Sequence, residues 1–201
     1  MKKHFVLLLI FFVIFISGCS SSNEKNNISV TNTSVNKQST NKSPMPEKNS
    51  IKQNSAMKLY ENTKYNFSIE IPKEFDYVSP KSPNIIMSAV DESHIANINI
   101  LVRTIDEQIT AEEFNNLVAE DPQSLNLPGE IIDRGIINTQ NNKAAYVLCM
   151  LKGKSSDILL QQFYIFNKNI MFAISYVAPK KYFDNCKKSY YESIKTFNVE
   201  V

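Results

Sequence analysis

Beyond position 58 the chain alternates apolar and polar residues with a period close to two, and a helical period replaces it in two places. Phe67-Ser68-Ile69-Glu70-Ile71 alternates strictly until Pro72, and Ala96-Asn97-Ile98-Asn99-Ile100 does the same, continuing through Val102. Successive side chains on a strand point to opposite faces, so both patterns predict half-buried strands with one wet side. Residues 85–90 and 130–137 are further strand candidates. Three long apolar runs follow at 144–152, 157–166 and 170–177, separated by the polar turns Gly153-Lys154-Ser155-Ser156 and Asn167-Lys168-Asn169. Runs of that length split by short turns predict an antiparallel meander.

The first helical stretch opens on Thr110-Ala111-Glu112-Glu113, the pattern of a capping box. There the threonine hydroxyl accepts the Glu113 N–H while the Glu113 carboxylate reaches back. Phe114, Leu117 and Val118 share one face, and Asp121-Pro122 stops the helix. The second stretch follows Pro179, with Phe183, Cys186, Tyr190, Ile194 and Phe197 forming one apolar stripe. Strands in hairpins with two amphipathic helices predict an α+β fold around a mainly antiparallel sheet.

Two unlike segments precede this domain. Met1-Lys2-Lys3-His4 is a basic head, followed by the apolar run from Phe5 to Ile16 and then Ser17-Gly18-Cys19. As a helix the run would span about 18 Å, short of the ~30 Å hydrocarbon core, so it predicts an export signal rather than a membrane span. Ile16-Ser17-Gly18-Cys19 resembles a bacterial lipobox. That resemblance implies cleavage before Cys19, whose thiol then carries a diacylglyceryl thioether. The expected location is the extracytoplasmic face of a cell membrane, with the membrane engaged through covalent lipid. In a cell with an outer membrane, Ser20 permits sorting there. From 20 to 57 the chain is dominated by Ser, Thr, Asn, Gln and Lys, with Pro44 and Pro46. No apolar period persists, so the expectation is a disordered polar tether with a root-mean-square span of roughly 35 Å. The expected organisation is thus signal 1–19, tether 20–57 and domain 58–201.

Tyr65-x-Phe67-Ser68-Ile69-x-Ile71-Pro72-x-x-Phe75 near the start of the domain and Ser193-Ile194-Lys195-Thr196-Phe197 near its end resemble the boundary motifs of PsbP/DcrB-like domains. The order of elements between them is similar too. The resemblance implies an α/β/α sandwich around the antiparallel sheet, and binding or assembly roles rather than catalysis.

Charge and composition narrow the chemistry. The formal net charge is +2. The basic surplus lies in the leader and tether, and the domain itself is slightly acidic, which gives no electrostatic case for nucleic acid. With four glycines a Gly-rich phosphate loop is nearly excluded, and with two histidines and three cysteines there is little material for a metal site. No cofactor is expected. Cys149 and Cys186 are either two buried thiols or, outside the membrane, a disulfide closing a loop of about 37 residues. A Cys–His hydrolase would need one of them exposed beside His94, which lies in the polar turn Asp91-Glu92-Ser93-His94, whereas both cysteines fall on apolar positions. Glu112 and Glu113 complement the dipole of a helix N-terminus rather than forming a site. Tyr60, Tyr65, Tyr77, Tyr190 and Tyr191 flank strand or helix ends and are candidates for a recognition surface, since tyrosine is enriched at interfaces.

The expectation is therefore a membrane-anchored, non-enzymatic lipoprotein that binds or assembles with an envelope protein partner or a small ligand. The alternative is an envelope hydrolase whose active site is dispersed along the chain. A concave pocket with convergent Asp, Tyr and Asn of shifted acidity would distinguish it.

Overall fold

Residues 57–200 are described by a computed structural model, except 81, 94, 124 and 125. The expected signal with Cys19, the tether up to 56, and His94 lie outside the described residues.

The order is β1 (Met57–Asn62), β2 (Phe67–Pro72), β3 (Phe75–Val78), β4 (Ile85–Asp91), β5 (Asn97–Thr104), α1 (Ala111–Glu120), β6 (Glu130–Asn138), β7 (Lys143–Leu151), β8 (Ile158–Asn167), β9 (Ile170–Pro179), α2 (Lys180–Lys195) and β10 (Asn198–Val199). Seven strands form one sheet in the order β3-β4-β5-β9-β8-β7-β6, and three form a second in the order β1-β2-β10. Every pairing is antiparallel. The apolar runs predicted as a meander are β7, β8 and β9, and β6 extends it at the edge. The turns are made where the backbone can bend: Lys168 between β8 and β9 and Asn66 between β1 and β2 adopt positive φ. Gly129, at φ 76°, precedes β6, where an added Cβ would lie 2.3 Å from the Met150 carbonyl oxygen. Only glycine fits there.

The large sheet is covered on both faces, which is why its central strands read as nearly continuous apolar runs. On β8, Leu159, Phe163 and Ile165 point into the principal core beneath α2 and the small sheet. Alternation sends Tyr164 to the opposite face, where its ring lies 4.5 Å from that of Phe114 on α1. On α2, Phe183, Tyr190 and Ile194 are buried. Tyr190 stacks on Tyr176 of β9 at 4.5 Å and meets Phe163 edge-on at 5.5 Å. The predicted stripe ran one turn too far. The helix ends at Lys195, and Phe197 lies beyond its C-cap Thr196, packed against Phe67 of β2 and Phe172 of β9.

The two motifs that resemble family boundaries meet in space. Ser193 Oγ donates to the Glu70 carbonyl, the Glu70 N–H donates to Thr196 Oγ1 at 2.8 Å, and Asn198 and Val199 pair with Ser68 and Phe67. Residues more than 120 positions apart thereby close the small sheet over the core. At the edge of that core, the largely buried Lys58 reaches out with Nζ to exposed Asp76 Oδ1 at 3.5 Å and lies over the Tyr77 ring.

The register rules out the disulfide considered above. Cys149 pairs with Leu160 on the face that carries α1, and Cys186 lies on α2, beside Tyr176, on the opposite face. Both are free thiols. A bridge needs Cα atoms within about 7 Å, and a sheet stands between these two.

Candidate functional site

Where the N-terminus of α1 approaches the turn joining β6 to β7, the surface opens into a cleft of about 630 Å³. Its apolar floor is Ile109 and Phe166. Its walls are the first turn of α1 and the turn residues from Asn138 to Lys143.

Local chemistry fixes both walls. The capping box forms as predicted: the Glu113 N–H donates to Thr110 Oγ1 at 3.1 Å, and the Thr110 N–H donates to Glu113 Oε2 at 2.8 Å. These bonds hold the Glu113 carboxyl below its ordinary range, led by the Thr110 backbone N–H. Opposite, the Thr139 N–H donates to the Asn142 carbonyl at 2.8 Å, and the Asn142 N–H donates to Thr139 Oγ1 at 3.1 Å. The turn is also tied to the C-terminal segment. The Gln140 N–H donates to the Phe197 carbonyl at 3.3 Å, and Asn141 Nδ2 donates to Asn198 Oδ1 at 2.5 Å. Across the mouth, Lys143 Nζ donates to Glu112 Oε1 at 2.6 Å. That hydrogen bond is the leading reason the Glu112 carboxyl sits below its usual range.

The cleft's charged groups are therefore committed to each other or to the helix cap. Both carboxylates are held ionised, and neither is poised to exchange a proton near neutrality. The side-chain amides of Asn138, Gln140 and Asn142 hold no hydrogen bond among the described residues. Each presents two donors and an acceptor. A wall of neutral amides above an apolar floor is suited to hold a polar, uncharged group.

The five tyrosines do not make one surface. Tyr60 and Tyr190 are buried. Tyr60 and Tyr77 lie 5.7 Å apart where the small sheet meets β3, and the Tyr60 hydroxyl donates to the Ile86 carbonyl at 3.3 Å. Half-buried Tyr65 is fixed by its N–H bond to Asn62 Oδ1. Tyr190 and Tyr191 belong to α2, where the Tyr191 hydroxyl donates to Gln161 Oε1 at 3.3 Å and its ring meets Phe163 and Tyr146. Burial makes the phenols of Tyr77, Tyr176 and Tyr190 harder to ionise, raising their pKa, and pushes that of Tyr191 up to about 12. Most of these residues build the core, and their positions at element ends mislead because a tyrosine bridging core and rim has the same spacing. The cleft was missed because the five consecutive polar residues from Asn138 to Asn142 fall between two predicted strands and match no catalytic or ligand motif. The available signal was excess, since a hairpin turn needs fewer amides than this one carries.

Among the described residues no group of three or more His, Cys, Asp and Glu side chains could hold a metal ion, and no helix is long and apolar enough to cross a membrane. Cys149 is buried, and desolvation pushes its thiol up to about 11.

No protein-family model and no curated protein matches the chain. Solved structures do. The chain is similar to the cyanobacterial PsbP protein (CyanoP) of Synechocystis, with a TM-score of 0.53 and 14% identity, over 74% of this chain and 95% of that one. It is also similar to a protein from Bacteroides thetaiotaomicron, with a TM-score of 0.56 and 14% identity, over 73% of this chain and 50% of that one. This chain thus spans half the length of the Bacteroides protein. At such identity the likeness shows the fold alone: the domain has a PsbP-like α+β fold built on a mainly antiparallel sheet, as expected from the sequence.

Proposed function

We propose that this chain is a lipoprotein held by Cys19 on the extracytoplasmic face of a membrane, and that its PsbP-like domain is a non-catalytic module. That module engages an envelope protein partner or a small ligand through the cleft between α1 and the β6–β7 turn. The anchor rests on Ile16-Ser17-Gly18-Cys19 after a short apolar run, and the polar segment to 57 supplies reach. One observation carries the binding role. The cleft's charged side chains are tied to each other or to the helix cap, while three amides on a braced turn are left unpaired. Groups so arranged hold a ligand in place and have no proton to move at neutral pH.

A photo-cross-linking amino acid at Gln140, an exposed position at the rim, tests the role in intact cells. The expected result is one reproducible adduct, lost when the cross-linker is moved to exposed Lys180 on α2. Equal labelling at both positions, or none at Gln140, contradicts the reading.

A further inference from the structure

Taking the cleft as the binding site, we infer that its ligand is a neutral saccharide, held by amide hydrogen bonds above an aromatic floor. The inference thus rests on the reading above and adds the ligand's chemical class.

Three features converge on it. First, the free groups are carboxamides. Asn138, Gln140 and Asn142 offer donors and an acceptor side by side, the complement of adjacent sugar hydroxyls, each of which also donates and accepts. Second, the apolar floor is Phe166 with Ile109, and the Phe166 ring lies 5.5 Å from that of Phe114 on α1. An aromatic side chain in the floor offers apolar surface on which the C–H groups of a pyranose can rest, where a phosphate or carboxylate would gain nothing. Third, the site is electrically quiet. Glu112 and Lys143 cancel across the mouth at 2.6 Å, so no unpaired cation attracts an anion and no unpaired carboxylate attracts a cation.

Size and rigidity agree. The cleft volume falls within the 300–1,000 Å³ typical of ligand sites. The turn is braced by its own Thr139 bonds and by Phe197 and Asn198, so its backbone is already ordered before a ligand arrives. A ligand then pays less in lost conformational freedom.

The test titrates the full-length chain, in detergent micelles, with the trisaccharide of N-acetylglucosamine, and in parallel with inorganic phosphate, by isotope-edited amide NMR. Saturable shifts centred on residues 138–143 with the trisaccharide, and none with phosphate, are expected. Asn138→Ala with Gln140→Ala removes two exposed amides and should weaken binding about tenfold with an unchanged melting temperature. Glu112→Gln with Lys143→Gln removes the charge pair and tests whether any phosphate binding depends on it, while Lys180→Gln, exposed on α2 and away from the cleft, should leave trisaccharide binding within about twofold. Three outcomes overturn the inference: no saturation, saturation insensitive to the amide variants, or phosphate binding that disappears in the charge-pair variant. The Gln140 cross-link separates the two claims. If the trisaccharide fails while Gln140 still captures a single envelope protein, the ligand class falls and the binding role stands. If both fail, both fall.

Discussion

Thr110 is the residue on which the start of α1, and with it one wall of the cleft, depends. Its hydroxyl accepts the Glu113 N–H and its own N–H is accepted by the Glu113 carboxylate, satisfying two donors that the first turn would otherwise leave bare. Thr110→Ala should lower the unfolding free energy by about 1 kcal/mol, measured by urea denaturation, while Thr110→Ser should recover most of it. No loss in the alanine variant would mean the cap is not holding the helix. The two thiols make a second test at this scale. Cys149 lies under α1 with its thiol pushed up to about 11, and Cys186 is half-buried on α2. A thiol reagent applied to the native domain should modify Cys186 first, and Cys149 only after unfolding. Failure of both to react in denaturant without reductant would restore the disulfide.

At the scale of elements, the decisive junction joins the end of α2 to the middle of β2. Thr196 Oγ1 accepts the Glu70 N–H at 2.8 Å and donates to the Ser193 carbonyl at 2.7 Å, while Ser193 Oγ caps the Glu70 carbonyl. Thr196→Val keeps the shape and strands the Glu70 N–H, so it should cost about 1–3 kcal/mol in thermal or denaturant unfolding. A neutral result would show that water replaces the hydroxyl. The same junction explains what was legible in the sequence. Motifs at 65–75 and 193–197 could be read because the first alternates along β2 and the second ends the apolar stripe of α2 on Ser193 and Thr196, and in the fold they bind each other. The meander was legible because β7 to β9 are covered on both faces and so lack polar interruptions. β1, Met57-Lys58-Leu59-Tyr60-Glu61-Asn62, was not, because Lys58 and Asn62 alternate into buried positions where a sequence pattern expects apolar residues. Lys58 is tolerated there by Asp76 and the Tyr77 ring, partners contributed by β3. The cleft was not legible either, since α1 and the β6–β7 turn are brought together only when α1 settles on the sheet.

Across the whole molecule the core is aromatic, and its phenols set an alkaline limit. Tyr77, Tyr176, Tyr190 and Tyr191 all ionise more reluctantly in the folded chain than at the ordinary value of 10.0, chiefly because burial penalises the phenolate. Between that value and the raised one the unfolded chain holds fewer protons than the folded one, so rising pH favours unfolding. The contribution of these phenols to stability should be constant below about pH 10 and be lost above it, through the range near 12 where Tyr191 titrates in the fold. Tyrosinate absorbance and far-ultraviolet circular dichroism should change together. Phenol ionisation well before loss of structure would show that these side chains are wetter than the packing implies.

The account of a binding domain displayed outside a membrane meets its most direct test at Cys19. Cells expressing the full chain are fed an alkyne-bearing fatty acid, and the protein is recovered from membrane and soluble fractions. The account predicts label on the membrane-bound native chain and none on Cys19→Ala, which keeps its leader or leaves the membrane fraction. Label persisting on Cys19→Ala, or an unlabelled native chain in the medium, would contradict it.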